Sequence, residues 1–153
     1  MSLKTAPTAR ADMLIRRPAK EVFNAFVDPA ITTKFWFSRS SGKLEEGKSV
    51  KWYWDMYGVS AEVAVRVIEQ DRRILIEWPT PVEWLFTPRG NNTFVSITAS
   101  GFTGSQDERV SQAIDSMGGF CFVLAGCKAF LEHGVKLNLT GDHNPDAHIQ
   151  GGV

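Results

Sequence analysis

Five tryptophans are the most concentrated chemical resource in this chain. Trp36 sits inside Phe35-Trp36-Phe37. Trp52, Trp54 and Met56 alternate along one segment, Trp78 follows Ile74 and Ile76, and Trp84 falls between Val82 and Phe86. Alternation at period two places each set on one face of a strand. Flat apolar rings, each with one indole N–H, suit two roles: a packed core, or the walls of a cavity holding an apolar ligand. Read as a ligand wall, the candidate contacts are Trp36, Trp54, Met56, Trp78 and Trp84 from the sheet side, faced by Met117, Cys121 and Leu124 from a helix. Met117 brings an adaptable thioether to a variable ligand.

Other catalytic chemistry is sparse. The chain has no Gly-x-Ser-x-Gly elbow, no His-Glu-x-x-His, no Cys-x-x-Cys, no phosphate loop and no dinucleotide fingerprint. All three histidines, His133, His143 and His148, fall at or beyond the end of the last helix. His133 suits the carbonyls at that helix terminus. Asp142, His143, Asp146 and His148 form a sparse set on a polar tail, where ordering entropy opposes metal binding. Cys121 and Cys127 are separated by about 9 Å of helical rise, beyond disulfide reach. Cys121 reads as a small buried hydrophobe, because no cation or base is placed to activate it. Asp55, Glu62, Arg66, Glu77 and Glu83 alternate with apolar positions and point outward. A register shift of one residue would turn Glu62 or Glu83 inward as a buried acid or base. No catalytic set, metal or cofactor is assigned.

Composition bounds the class. A chain of 153 residues with 43% apolar and 22% charged residues is long enough for one self-sufficient core. A formal net charge of zero with scattered Lys and Arg gives no basic surface for nucleic acid or anionic lipid. The absence of a long uninterrupted apolar run predicts no membrane insertion. The small, polar start has no apolar signal core, and the unpaired thiols suit a reducing compartment, so a cytoplasmic location is expected.

The elements that must position these residues follow from periodicity. A first strand is expected over Ala11–Arg16, then two short helices separated by Asp28-Pro29, with Val22, Phe23, Phe26 and Val27 as the buried face. From Ser38 to Phe102 the period is two. Strands are expected at Ser40–Leu44, Ser49–Met56, Val59–Gln70, Arg73–Trp78, Val82–Pro88 and Thr93–Phe102, joined by tight turns. Gly104-Ser105-Gln106-Asp107 then opens a long helix that stops at His133-Gly134. Val110, Ile114, Met117, Cys121, Leu124 and Leu131 form its expected buried stripe. Met117–Leu124 should line a cavity, and Phe130-Leu131 should pack into solid core. Gly118-Gly119, each costing about 1 kcal/mol in a helix, should mark close approach to the sheet or a ligand. The sum is an α+β domain over residues 11–136: a curved antiparallel sheet of about seven strands wrapped on one long C-terminal helix, with two short helices after the first strand. Residues 1–10 and 137–153 read as loose tails.

Ile15-Arg16-Arg17-Pro18 through Val27-Asp28-Pro29, Phe35-Trp36-Phe37, Gly42 to Gly47, Thr93–Thr98 ending in Gly101-Phe102, and Gly119-Phe120 … Leu124 … Lys128 … Phe130-Leu131-Glu132 together resemble the START-like (SRPBCC, Bet v 1-like helix-grip) superfamily. The branch related to the activator of the Hsp90 ATPase is the most similar. Phe120 stands where that branch commonly has Trp. The resemblance implies a helix-grip fold with an apolar cavity between sheet and long helix. It implies binding of a small hydrophobic, lipid- or polyketide-like ligand there, with cyclisation or hydrolysis in some members; the lack of a recognisable catalytic set in this chain favours binding without catalysis. The alternatives are a cyclase- or hydrolase-type enzyme in the same cavity, or a co-chaperone-like interaction domain with an exposed apolar patch on the outer sheet face or the short helices. A monomer or weak homodimer is expected, and the family label alone does not imply a chaperone partner.

Overall fold

The computed structural model describes residues 5–149. The expected first ten and last seventeen residues therefore lie partly outside the described residues. Seven strands form one antiparallel sheet in the order β1-β7-β6-β5-β4-β3-β2. They are β1 (Ala9–Ile15), β2 (Arg39–Ser40), β3 (Ser49–Trp54), β4 (Val59–Glu69), β5 (Arg73–Glu77), β6 (Pro81–Arg89) and β7 (Asn92–Ala99). From β2 to β7 every neighbour in space is a neighbour in sequence, as tight turns require. β1 pairs with β7 from Ala9↔Ala99 to Ile15↔Thr93. The first and last strands of the chain thus lie side by side, and the α+β helix-grip architecture is observed.

Helices α1 (Ala19–Val27) and α2 (Pro29–Thr32) follow β1. Val22, Phe23, Ala25 and Phe26 are buried on one face of α1. Asp28 ends the first helix with its backbone N–H on the Asn24 carbonyl, and its side chain caps the second by accepting from the Ala30 N–H, with Pro29 at the first helical position. The buried Thr32 hydroxyl donates to the Ala25 and Asp28 carbonyls. That closed turn delivers Phe35, Trp36 and Phe37 into the core, all buried.

β1 begins at Ala9 rather than Ala11 and β7 ends at Ala99 rather than Phe102, and two further departures bear on the site. Of the Ser40–Leu44 candidate only Ser40 is strand, in β2 with Arg39, because Ser40 Oγ bonds both the amide and the carbonyl of Gly42 and turns the chain. β3 stops at Trp54. Asp55–Tyr57 is a 3₁₀ turn closed by Gly58 in the left-handed region at φ 63°. Met56 therefore leaves the sheet face that it was expected to share with Trp52 and Trp54.

Helix α3 (Gln106–His133) packs along β1 and β7. Ser105 and Glu108 form a reciprocal capping box at its start, and Gly134 caps its end at φ 66°. Its buried residues are Ala113, Phe120, Val123, Leu124, Gly126 and Cys127. The expected stripe is corrected here. Over the first half, the inward positions are Ala113 and Phe120 rather than Ile114 and Cys121, a rotation of one residue or about 100°. Ile114 and Met117 are 59% and 45% exposed, and Cys121 is exposed. The segment Met117–Cys127 is apolar on nearly every face, so periodicity gave the wrong direction. Phe130 and Leu131 are half-buried and pack against the core.

The last turns of α3 are fastened to β1. Lys128 Nζ donates to the Leu14 carbonyl at 2.8 Å and to Glu132 Oε2 at 2.6 Å, and the Arg16 N–H donates to the same Glu132 oxygen at 2.9 Å. The Glu132 side chain is only 8% exposed. Burial alone would raise its pKa, but the Arg16 amide and Lys128 outweigh that and hold it below the ordinary carboxylate value.

Candidate functional site

Trp36 is the hub of the aromatic cluster. Its ring centroid lies 4.9 Å from Trp52, 5.7 Å from Trp78, 6.2 Å from Trp84 and 6.2 Å from Phe120. Trp54 and Trp78 stack at 5.5 Å with planes 10° apart, and Phe37 stacks on Trp52 at 4.7 Å. Strand alternation aims Trp52, Trp54 and Trp84 at the same inner face, and the turn after α2 inserts Trp36 among them. Trp84 lies below, 1% exposed between Phe26, Trp36 and Phe120. Its Nε1 is the one buried side-chain polar atom among the described residues that lacks a hydrogen-bond partner. Such an orphan costs about 1–3 kcal/mol.

Above this layer lies a cavity of about 500 Å³. Trp36, Trp54 and Trp78 form its aromatic floor. The start of β4 gives Val59, Ser60 and Ala61, and the 3₁₀ turn gives Tyr57. The middle of α3 gives Asp115, Ser116, Gly119, Phe120, Phe122 and Val123. A second cavity of about 360 Å³ adjoins it, sharing Trp78, Asp115, Ser116 and Phe120.

The last wall comes from a segment that the sequence reading left as a loose tail. After α3 the chain forms a helical turn, α4 (Leu139–Asp142), then a 3₁₀ turn at Pro145–Ala147. This strap folds back over the β3–β4 connection. The Tyr57 hydroxyl donates to the Thr140 carbonyl. The Ile149 N–H donates to the Met56 carbonyl at 3.0 Å, and the His148 ring nitrogen lies 2.8 Å from the Gly141 carbonyl. The His143 ring stacks on Phe122 with centroids 5.2 Å apart. Thr140 and His143 consequently line the cavity. Burial, with Asp142 adding to it, pushes the Tyr57 pKa upward, so this phenol stays a neutral donor.

Trp36, Trp54 and Trp78 of the sequence candidates thus meet at one cavity. Trp84 and Leu124 (0% exposed) lie in the packed layer beneath it. Met117 and Cys121 stand on the outer side of α3. Met56 lines a smaller cleft of about 190 Å³ on the far side of the strap. Sequence reasoning missed Tyr57, Asp115, Ser116, Thr140 and His143, while Gly119, Phe120, Phe122 and Val123 fall within the Met117–Leu124 stretch expected at the cavity. Asp115, Ser116, Gly119, Phe120 and Val123 do share a helical face by spacing, a signal hidden by the apolar residues around it. Glu62 is exposed, and Glu83 is held on the outer face by Arg73 at 2.6 Å, so neither enters the cavity. Cys127 is buried, and burial, then Glu132, pushes its thiol pKa up, leaving it inert as a nucleophile. Among the described residues no group of His, Cys, Asp and Glu is arranged to hold a metal.

The Gly118-Gly119 pair is also reassigned. A Cβ built on either would meet nothing within 4 Å, so neither marks a close approach. Gly119 opens into the cavity and Gly118 is exposed. The glycine that does permit close approach is Gly126, where a Cβ would stand 3.1 Å from the Phe35 carbonyl oxygen.

Solved structures share this architecture. Protein SSP2350 from Staphylococcus saprophyticus is 30% identical, with a TM-score of 0.78 over 86% of this chain and 96% of that one. The Aha1 dimer from Colwellia psychrerythraea is 17% identical, with a TM-score of 0.70 over 84% of this chain and 98% of that one. DynU16, from the dynemicin biosynthetic locus, is 20% identical at a TM-score of 0.73; the match covers 84% of this chain but 48% of DynU16. The last two likenesses speak to fold alone. No curated protein is significantly similar in sequence. The family model described as Activator of Hsp90 ATPase homolog 1-like protein matches residues 16–119, more than half of the sequence, and the chain belongs to that family.

Proposed function

We propose that this protein binds a small, mainly apolar ligand in the cavity between the sheet and α3. The observation that carries the reading is the floor of Trp36, Trp54 and Trp78 beneath about 500 Å³ of space, a volume within the range of small-molecule sites. Binding without catalysis fits the lining, whose ionisable side chains are Asp115, His143 and Tyr57 with no nucleophile–base pair between them. The test uses the two open glycines. Gly119→Phe fills the cavity from the helix side, whereas Gly118→Phe places the same ring outside it. A panel of lipophilic probes should quench tryptophan fluorescence saturably in the wild type and in Gly118→Phe, and fail to do so in Gly119→Phe. Uptake of no probe by the wild type would sink the reading.

A second reading, self-association, is favoured by one observation. The outer face of α3 presents Ile114 and Met117 to solvent, and only 28% of the helix's most apolar stretch of eighteen residues is buried. That stretch is long and apolar enough to cross a membrane by composition, yet its inner face lies on the sheet. The occupant inferred for the outer face is a second copy of this chain, as befits a relative of the fold solved as a dimer. Sedimentation should show a concentration-dependent dimer that Met117→Glu dissolves. A strictly monomeric wild type removes this reading and leaves the first intact.

A further inference from the structure

The lining of the main cavity is unusual in what kind of apolar group it uses. Rings supply most of it: three tryptophans, Tyr57, Phe120 and Phe122, against only two valines and one alanine among the aliphatic residues. An aliphatic wall is indifferent to charge. An aromatic face presents the negative side of a quadrupole, and indole does so most strongly. A cation placed over such faces is attracted, and an anion is repelled.

The formal charge at the cavity has the matching sign. Asp115 is its only carboxylate, and no Lys or Arg among the described residues lines it. Nor does Asp115 take part in an ion pair or hydrogen bond among the described residues, so no base there neutralises its charge. It lines both the main cavity and the adjoining one, at the place where they share Trp78 and Phe120. A second carboxylate, Asp142 on the strap, adds its field at the Tyr57 wall, where it helps burial to hold the phenol protonated. Several surface acids elsewhere are paired with bases, as in Arg73–Glu83, Arg66–Glu77 and Lys48–Glu45, whereas Asp115 is not. An unpaired carboxylate thus stands in the wall of the aromatic cavity.

We propose that the ligand is an organic cation: an ammonium group carried on an apolar body. The ammonium lies at the junction of the two cavities, between Asp115 and the faces of Trp78 and Phe120. The apolar body lies along Trp36 and Trp54. The inference deepens the proposed function and rests on the main cavity being a ligand site.

The experiment separates the two. Phenylbutyl-trimethylammonium, its uncharged tert-butyl isostere and phenylpentanoate are titrated against the full chain, with tryptophan fluorescence and calorimetry as readouts. The expected order is ammonium, then isostere, then carboxylate, with about tenfold between the first two. Asp115→Asn should cut that preference to about threefold, the share left to the rings, by weakening the ammonium more than the isostere. Asp115→Glu should restore most of it. Asp115 is exposed and unpaired, so these variants keep the wild-type melting temperature. Raising salt should weaken only the ammonium complex. Equal binding of ammonium and isostere, or tighter binding of phenylpentanoate, overturns the cation proposal and leaves the cavity reading standing. Failure of all three probes together with the broader lipophilic panel overturns both.

Discussion

The two halves of α3 are built on opposite terms. From Phe120 to Glu132 the helix is fixed. Leu124 and Cys127 are fully buried, Gly126 lets the Phe35 carbonyl approach, and Lys128 and Glu132 are tied to the end of β1. From Val110 to Gly119 only Ala113 is buried. One side of this half looks into the cavities through Asp115, Ser116 and Gly119, and the other shows Ile114 and Met117 to solvent. A helix clamped at one end and left unfilled at the other makes a stable hollow: packing in one half supports a void in the other, where packing is withheld.

The largest test of this contrast is a pair of truncations. Leu124→Ala removes a side chain that is 0% exposed, and should cost about 3 kcal/mol through lost transfer energy and a new void. Ile114→Ala, nearly three turns earlier and 59% exposed, should cost less than about 0.5 kcal/mol. Denaturant unfolding of both variants is the measurement. Comparable losses would mean that the first half is as packed as the second, and the contrast would collapse.

Next in size is the clamp itself. Glu132→Gln leaves the Lys128 ammonium without its carboxylate and weakens the Arg16 contact, a loss of about 1–3 kcal/mol for charge-assisted bonds near solvent-excluded atoms. The sign of its pH dependence follows from the direction of the shift. The folded pKa lies below the unfolded one, so the unfolded state binds the proton more readily in that interval. The contribution is complete above the ordinary carboxylate pKa of about 4.3, and is lost as pH falls through the lower folded value. The stability difference between wild type and Glu132→Gln should therefore shrink on acidification. A difference that stays constant into strong acid would assign the effect to packing and not to charge.

What was legible in the sequence tracks the same division. The sheet, its β2–β7 meander, the paired short helices and the cap at Gly134 are readable because alternation, turn residues and capping chemistry are local signals; the β1–β7 pairing, which joins the two ends of the sheet's sequence, is not. Alternation likewise puts Trp54 on the inner face, but the placing of Trp36 depends on the turn after α2. The face of α3 was not readable. Between Met117 and Cys127 apolar and small residues occupy every side, so the period carries no direction and does not separate Met117 and Cys121 from Leu124. The strap was unreadable for a different reason. Its anchors are backbone carbonyls of Met56, Thr140 and Gly141, which every sequence possesses. Met56 was lost to a turn whose trigger, Gly58, was visible, but whose start at Asp55 was not.

The smallest effects are the most diagnostic, because three glycines of one helix make three different statements. Replacing a mid-helix glycine by alanine is worth about 1 kcal/mol in propensity. At Gly118 and Gly119 the added methyl meets nothing within 4 Å, so both substitutions should stabilise by about 0.5–1 kcal/mol. At Gly126 the same methyl would stand 3.1 Å from the Phe35 carbonyl oxygen and 3.3 Å from its Cβ, and the Phe35 turn must shift to admit it. Gly126→Ala should therefore gain nothing, or lose up to about 1 kcal/mol, because the strain offsets the propensity. Ligand affinity then splits the first two. Gly118→Ala leaves binding unchanged, whereas Gly119→Ala puts a methyl into the cavity and alters affinity for any probe that reaches α3. If natural selection kept glycine at position 119 for the space it leaves, the more stable variant will be the poorer binder. If Gly119→Ala is both more stable and equally good at binding, the ligand does not touch this part of the helix, and the cavity is read from the Trp54–Trp78 side alone.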